Sequence, residues 1–195
     1  MANRPSTEKL TIDGPVGRLE ALLDASAEQQ PTAAVVVCHP HPQHGGTMHN
    51  KVAHTLARSF VGLNYAALRF NFRGTEGSDG EYDEGRGELD DALAAIEWMR
   101  NRYPGLPLWV AGFSFGAAIA VRAAVAVSVD GLISVAPAMY RFATGLEGQP
   151  GCPWLFVQGD EDELVAVHVS IDWVNGLQPG TELLVMPGVE HFFHG

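Results

Sequence analysis

Along the chain, short apolar runs alternate with stretches in which apolar residues recur every three or four positions. Leu10 to Ile12 and Arg18 to Asp24, on either side of Gly14-Pro15, predict a hairpin. Ala33-Ala34-Val35-Val36-Val37-Cys38 is apolar without a break, the pattern of a strand buried on both faces. Tyr65 to Phe72, Leu108 to Phe113, Leu132 to Ala136, Trp154 to Val157 and Leu183 to Met186 predict further strands. Val52, Leu56, Phe60 and Leu63 mark a helix over Asn50 to Leu63, and Leu89, Leu93, Ile96 and Met99 another over Glu88 to Tyr103. Two more are expected over Gly116 to Val127 and Val167 to Leu177. Strands alternating with helices imply crossover units, hence an α/β fold with a mainly parallel sheet. Ligands bind beyond the carboxyl ends of such strands, so the chemistry belongs in the residues that follow each one.

Composition narrows the function classes. The 195 residues include 12 Lys plus Arg against 23 Asp plus Glu, a formal charge of -11. That balance argues against a nucleic-acid partner, which needs a basic footprint. The length suits one domain over 1–195. No signal-like or membrane-spanning stretch appears, and two cysteines make no secreted disulfide framework, so a cytoplasmic protein without a membrane partner is expected. Glycine is enriched, at 22 residues.

Gly112-Phe113-Ser114-Phe115-Gly116 lies between a predicted strand and a predicted helix. In a G-x-S-x-G turn the glycines keep side chains out of a crowded bend, and the serine is held strained with its hydroxyl exposed. Ser114 could instead simply cap the helix that follows. A nucleophilic serine needs a base, and the base needs an acid to orient it. Asp160, Glu161, Asp162 and Glu163 follow one later strand, and His191 and His194 follow the last.

The ordered combination of serine elbow, later acid and final histidine resembles the α/β-hydrolase family, and the resemblance runs over nearly the whole chain. It implies the α/β-hydrolase fold, with helices on both sheet faces. The family pattern G-x-x-D-x-x-V falls on Gly159, Asp162 and Val165, which implies Asp162 as the acid, with Asp160 the alternative. His191 stands at the family's distance after the last strand, with His194 the alternative. The resemblance implies an oxyanion hole from the backbone amides of Phe115 and His41. Proline has no N–H, so Pro40 and Pro42 are excluded as donors. Arg73 opens a loop similar to the family's R-G-x-G-x-S and is expected to tie loops together. In the family's strand order two strands separate Cys38 from Cys152, roughly 14 Å, so both thiols are expected free.

Only Met139 to Gly151 stands where many relatives insert a cap. The nearest resemblance is therefore to small lidless bacterial serine hydrolases related to the dienelactone-hydrolase and peptidase-like branches. Met139, Tyr140 and Phe142 are the apolar residues available to a substrate wall, with Tyr140 and Phe142 the expected substrate contacts. The function implied is a serine carboxylesterase for small acyl esters that needs no cofactor or metal. Alternatives are a small-peptide or amide hydrolase with the same triad, and a non-catalytic binding protein on the same fold. His39, His41 and His44 also form H-x-H-x-x-H, a spacing that could hold zinc in a metallohydrolase. Because the chain stops soon after His191, weaker anchoring of that base is expected. Finally, 13 of the 23 acids fall at Glu76 to Asp91, Asp160 to Glu163 and Glu190. On loops at the carboxyl edge they would rim the mouth and favour neutral or cationic substrates.

Overall fold

The structure, a computed structural model, describes residues 5–142, 146–177 and 180–194. Strands β1 (Pro5–Gly14), β2 (Gly17–Ser26), β3 (Ala33–Cys38), β4 (Tyr65–Phe70), β5 (Leu108–Phe113), β6 (Gly131–Val135), β7 (Trp154–Gly159) and β8 (Thr181–Met186) form one sheet in the order β1-β2-β4-β3-β5-β6-β7-β8. The β1–β2 hairpin joins β4 antiparallel, and β3 to β8 run parallel. Helices α1 (Lys51–Gly62), α2 (Arg86–Arg102), α3 (Phe115–Ala126), α4 (Met139–Phe142) and α5 (Val167–Asn175) complete the described fold. No helix among the described residues is long and apolar enough to cross a membrane.

The unbroken apolar run of β3 follows from its place in the middle of the sheet. Ala34, Val36 and Cys38 join the larger core with residues of α2 and α3, while Val35 and Val37 meet Ala53, Ala57 and Phe60 of α1. Helices thus cover both faces, and each fully buried valine contributes about 1.5–3 kcal/mol. The tryptophans belong to the core: Trp154 is buried with its indole N–H donating to Ser134 Oγ at 2.7 Å, and Trp98, Trp109 and Trp173 pack against core clusters.

Some boundaries differ from the expectation for identifiable reasons. β1 begins at Pro5, well before Leu10, because its exposed polar half pairs with β2 along the whole hairpin without needing an apolar face. α2 begins at Arg86 because the Glu88 carboxylate accepts from the amides of Gly85 (2.7 Å) and Asp83 (2.8 Å) and so caps the helix from its third position. β5 and β6 lie between β3 and β7, and Cys38 and Cys152 are free thiols.

Arg73, just after β4, ties that loop to α2. Its guanidinium grips Asp91 through Nε (3.0 Å) and Nη2 (2.8 Å), and its own amide donates to Asp91 Oδ2 at 2.9 Å. Asp91 is fully buried. Removing one partner of a buried pair strands the other charge, so Asp91→Ala is expected to lower stability by about 3–5 kcal/mol in urea unfolding. Asp90→Ala, one residue away and without a partner of this kind among the described residues, serves as the control.

Candidate active site

Ser114 sits where β5 turns into α3 with φ 54° and ψ -114°, a sparsely populated conformation for a residue with a side chain. Both flanking glycines are required. A Cβ on Gly112 would lie 2.3 Å from the Gly116 carbonyl oxygen, and one on Gly116 would lie 2.3 Å from the oxygen of His39. The bend is pinned by main-chain bonds from Ser114 N–H to Val135 O (2.9 Å) and from Ala138 N–H to Ser114 O (3.2 Å). The Ser114 side chain makes no capping bond to α3, which removes the bland alternative for this residue. Its Oγ lies 3.0 Å from His191 Nε2.

His191 follows β8, with its ring buried between Phe113 and Phe192 (centroids 5.2 Å from each). Its Nδ1–H donates to Asp162 Oδ2 at 2.8 Å, which leaves Nε2 to accept from the Ser114 hydroxyl. Asp162, on the loop after β7, also accepts from the amides of Leu164 (2.9 Å) and Val165 (2.6 Å) and from Gln158 Nε2 (2.8 Å). Burial opposes ionisation of Asp162, but the bonds from His191 and these amides outweigh it and hold the carboxyl below its ordinary range. The loops carrying Asp162 and His191 meet backbone to backbone at Gly159, where a Cβ would be 2.1 Å from Val189 O. Gln158 is itself fixed, accepting at Oε1 from Ser170 Oγ at 2.9 Å.

The serine and histidine open into a cavity of about 400 Å³ lined by Pro40, His41, Phe115, Tyr140, Phe142 and Leu164 among others. Neither main-chain N–H of Phe115 nor that of His41 has an acceptor among the described residues. Tyr140, Leu164 and Phe192 on its rim stay exposed, with no element of the described chain over them.

The family described as "Serine aminopeptidase, S33" matches residues 29–144. An uncharacterized protein of Rickettsia prowazekii is 31% identical over 95% of this chain and 82% of its own. The chain belongs to that serine hydrolase family. Two solved structures are similar throughout. A lidless α/β serine hydrolase of Xanthomonas campestris superposes with TM-score 0.91 at 41% identity, covering 97% of this chain and 87% of that one. An α/β serine hydrolase homologue from Coxiella burnetii gives TM-score 0.91 at 43% identity, covering 96% and 90%.

In this α/β hydrolase several expected residues take other places. Asp160 caps the turn at Gly188, accepting its amide at 2.7 Å, and His194 is exposed and paired with Glu190. Neither reaches Ser114. The histidine cluster does not converge on a metal-sized point: His39 is fully buried, donates from Nδ1 to Pro40 O (2.6 Å) and accepts at Nε2 from Phe72 N–H (3.1 Å). Both its nitrogens are therefore used inside the fold, and burial lowers its pKa to about 4. No group of three or more His, Cys, Asp or Glu among the described residues could hold a metal ion. Met139 is buried in the main core and does not line the cavity. The anchoring of His191 is firm: its amide donates to Glu163 (3.2 Å), and Lys51 Nζ holds the carbonyl of Phe193 (2.8 Å).

The acids expected to rim the mouth stand outside the cavity itself. No carboxylate lines the cavity. Glu88 and Asp91 are buried structural groups, and Asp79 and Asp83 pair with Arg18 and Arg86. Arg141 and Phe192 line the cavity wall without standing in any motif, and His44, singled out for its zinc-like spacing, lines that wall as well.

The lowered pKa of Asp162 fixes the sign of one pH dependence. A carboxyl that titrates lower when folded contributes stability above the ordinary carboxylate range, and loses it as pH falls through the folded value. The stability gap between the parent protein and Asp162→Asn in urea is therefore expected to narrow as pH falls from about 6 to about 3. A gap that stays constant would mean that the carboxylate gains nothing from its partners.

Proposed function

We propose that the protein is a serine carboxylesterase that cleaves small acyl esters through an acyl-enzyme on Ser114. The observation that carries this reading is the continuous bond chain Ser114–His191–Asp162 opening at its serine end into the cavity. In the proposed reaction Ser114 Oγ attacks the acyl carbon as its proton passes to His191 Nε2, and Asp162 stabilises the imidazolium formed. The amides of Phe115 and His41 take the negative charge of the tetrahedral oxygen, Phe115 from the first turn of α3. His191 then returns the proton to the departing alcohol. Water, deprotonated by the same nitrogen, releases the carboxylic acid and restores the serine. Tyr140 and Phe142 form the apolar wall for the substrate.

One observation favours an ester over an aminopeptidase substrate. A free α-ammonium group is held by carboxylates, and none lines this cavity, whereas Arg141 does.

Incubation with a fluorophosphonate probe tests the assignment. Covalent labelling is expected in the parent protein and in the presence of a chelator, and absent in Ser114→Ala. Hydrolysis of 4-nitrophenyl butyrate is expected to fall by on the order of 10⁶ in Ser114→Ala and on the order of 10⁴ in Asp162→Asn. Turnover that survives Ser114→Ala would overturn the reading, and labelling with turnover of short peptides but of no ester would move it to the amide hydrolases.

A further inference from the structure

The cavity wall carries one guanidinium with no anionic partner. Elsewhere Arg18, Arg69, Arg73 and Arg86 each sit on a carboxylate and Arg100 and Arg122 donate to the carbonyls of Ser128 and Gly85, and none of these lines the cavity. Arg141, in α4, has no carboxylate within ion-pairing distance among the described residues, and its Cζ lies 5.6 Å over the ring of Phe142. Both residues line the cavity that holds Ser114. The same wall carries His41 and His44, with ring centroids 4.6 Å apart. His41 accepts from the Gln43 amide at Nδ1, so its Nε2–H faces the Tyr82 hydroxyl at 3.1 Å. Burial, then the fields of His44 and Arg141, lower the pKa of His41 to about 4, which keeps it neutral and places Arg141 within electrostatic reach of this wall. The carboxylates whose fields reach Tyr82 are already engaged, Glu84 with Arg86 and Glu88 with two amides.

A planar guanidinium at cation–π distance from an aromatic ring, in a cavity that no acid lines, is a receptor for a carboxylate, which it can meet with two parallel N–H bonds. Resting on the esterase reading above, we propose that the substrate is an ester bearing a second, free carboxylate, which Arg141 binds while Ser114 attacks the ester carbonyl. Phe142 then has two tasks, as apolar wall for the intervening carbons and as the platform that holds the guanidinium at the mouth. This runs against the preference for neutral or cationic substrates expected from charge counting, because none of the acids counted there lines the cavity.

The test compares mono-4-nitrophenyl adipate with its neutral isostere, the 4-nitrophenyl ester of adipic acid monoamide, each corrected for enzyme-free hydrolysis. Because Arg141 is exposed, the expected preference in kcat/KM for the anionic ester is about three- to fivefold at low salt. That preference should collapse toward unity in Arg141→Gln, persist in part in Arg141→Lys, and shrink with added salt. A ratio at or below one in the parent protein, or one unmoved by Arg141→Gln, overturns this inference while leaving the esterase reading intact. If neither ester is turned over and the fluorophosphonate does not label, the esterase reading fails instead. The carboxylate site is then read by calorimetric binding of free adipate: affinity lost in Arg141→Gln supports it, and no binding to the parent protein overturns it.

Discussion

Helix α3 leaves β5 so abruptly that its second residue lies against the end of β3. Gly112 and Gly116 permit this only because neither has a Cβ, and the backbone of Ser114 is forced into the left-handed region as a result. A conformation of this kind costs about 1–3 kcal/mol and persists only where the surroundings over-determine it. Here the surroundings are the central strands, buried on both faces, with bonds from Ser114 to the ends of β6 and the segment that follows. The most rigid part of the fold thus holds its most strained residue, and the same close approach leaves the first amide of α3 free beside the hydroxyl.

The partners of Ser114 come from the sheet edge, where the chain is less buried, and are secured differently. β8 is only partly buried, so packing alone gives its following loop little support. Hydrogen bonds make up the difference: Glu163 and Lys51 hold the main chain on either side of the imidazole, and Asp162 holds the ring. Asp162 in turn has its acceptor sites filled by two amides, Gln158 and His191, so it has one orientation to offer. Gln158 links this carboxylate to Ser170 on α5, so the outer helix contributes to the position of the imidazole without approaching it.

How far all this is legible in the sequence depends on what each residue does. Strands β3 and β5 announce themselves because burial on both faces leaves no polar position. Ser114 stands in a turn motif, and the family resemblance implies Asp162 and His191 over Asp160 and His194; these three side chains lie within hydrogen-bonding distance of one another in the order Ser114–His191–Asp162. The polar half of β1 is silent because an exposed edge strand needs no apolar pattern, and the four residues of α4 are too few for a helical period. Gln158 and Arg141 belong to no motif, since one works through another side chain and the other by lacking a partner. Among the acids of Glu76 to Asp91, position in the chain does not distinguish a carboxylate that caps a helix from one that faces a ligand. Glu88 and Asp91 are spent on amides and on Arg73.

The net charge and the cavity therefore act on different length scales. At physiological ionic strength, fields from exposed acids fade within about 8 Å, so a formal charge of -11 governs solubility and distant approach more than what binds beside Ser114. Inside the cavity the charged groups are those on its wall, and there the balance is positive. A hydrolysis that releases a new carboxylate next to His191 then meets two opposed influences: the local guanidinium, which retains an anion, and the acidic exterior, which draws none back once it has left. A single exposed arginine is weak enough, at about 0.2–1 kcal/mol for such a pair, to order a substrate at the mouth without trapping the product. A buried bidentate site of the Arg73–Asp91 kind would hold the product too well for turnover. On this reasoning the exposure of Arg141 is part of its suitability, since it supplies selection at the wall and leaves release to the solvent.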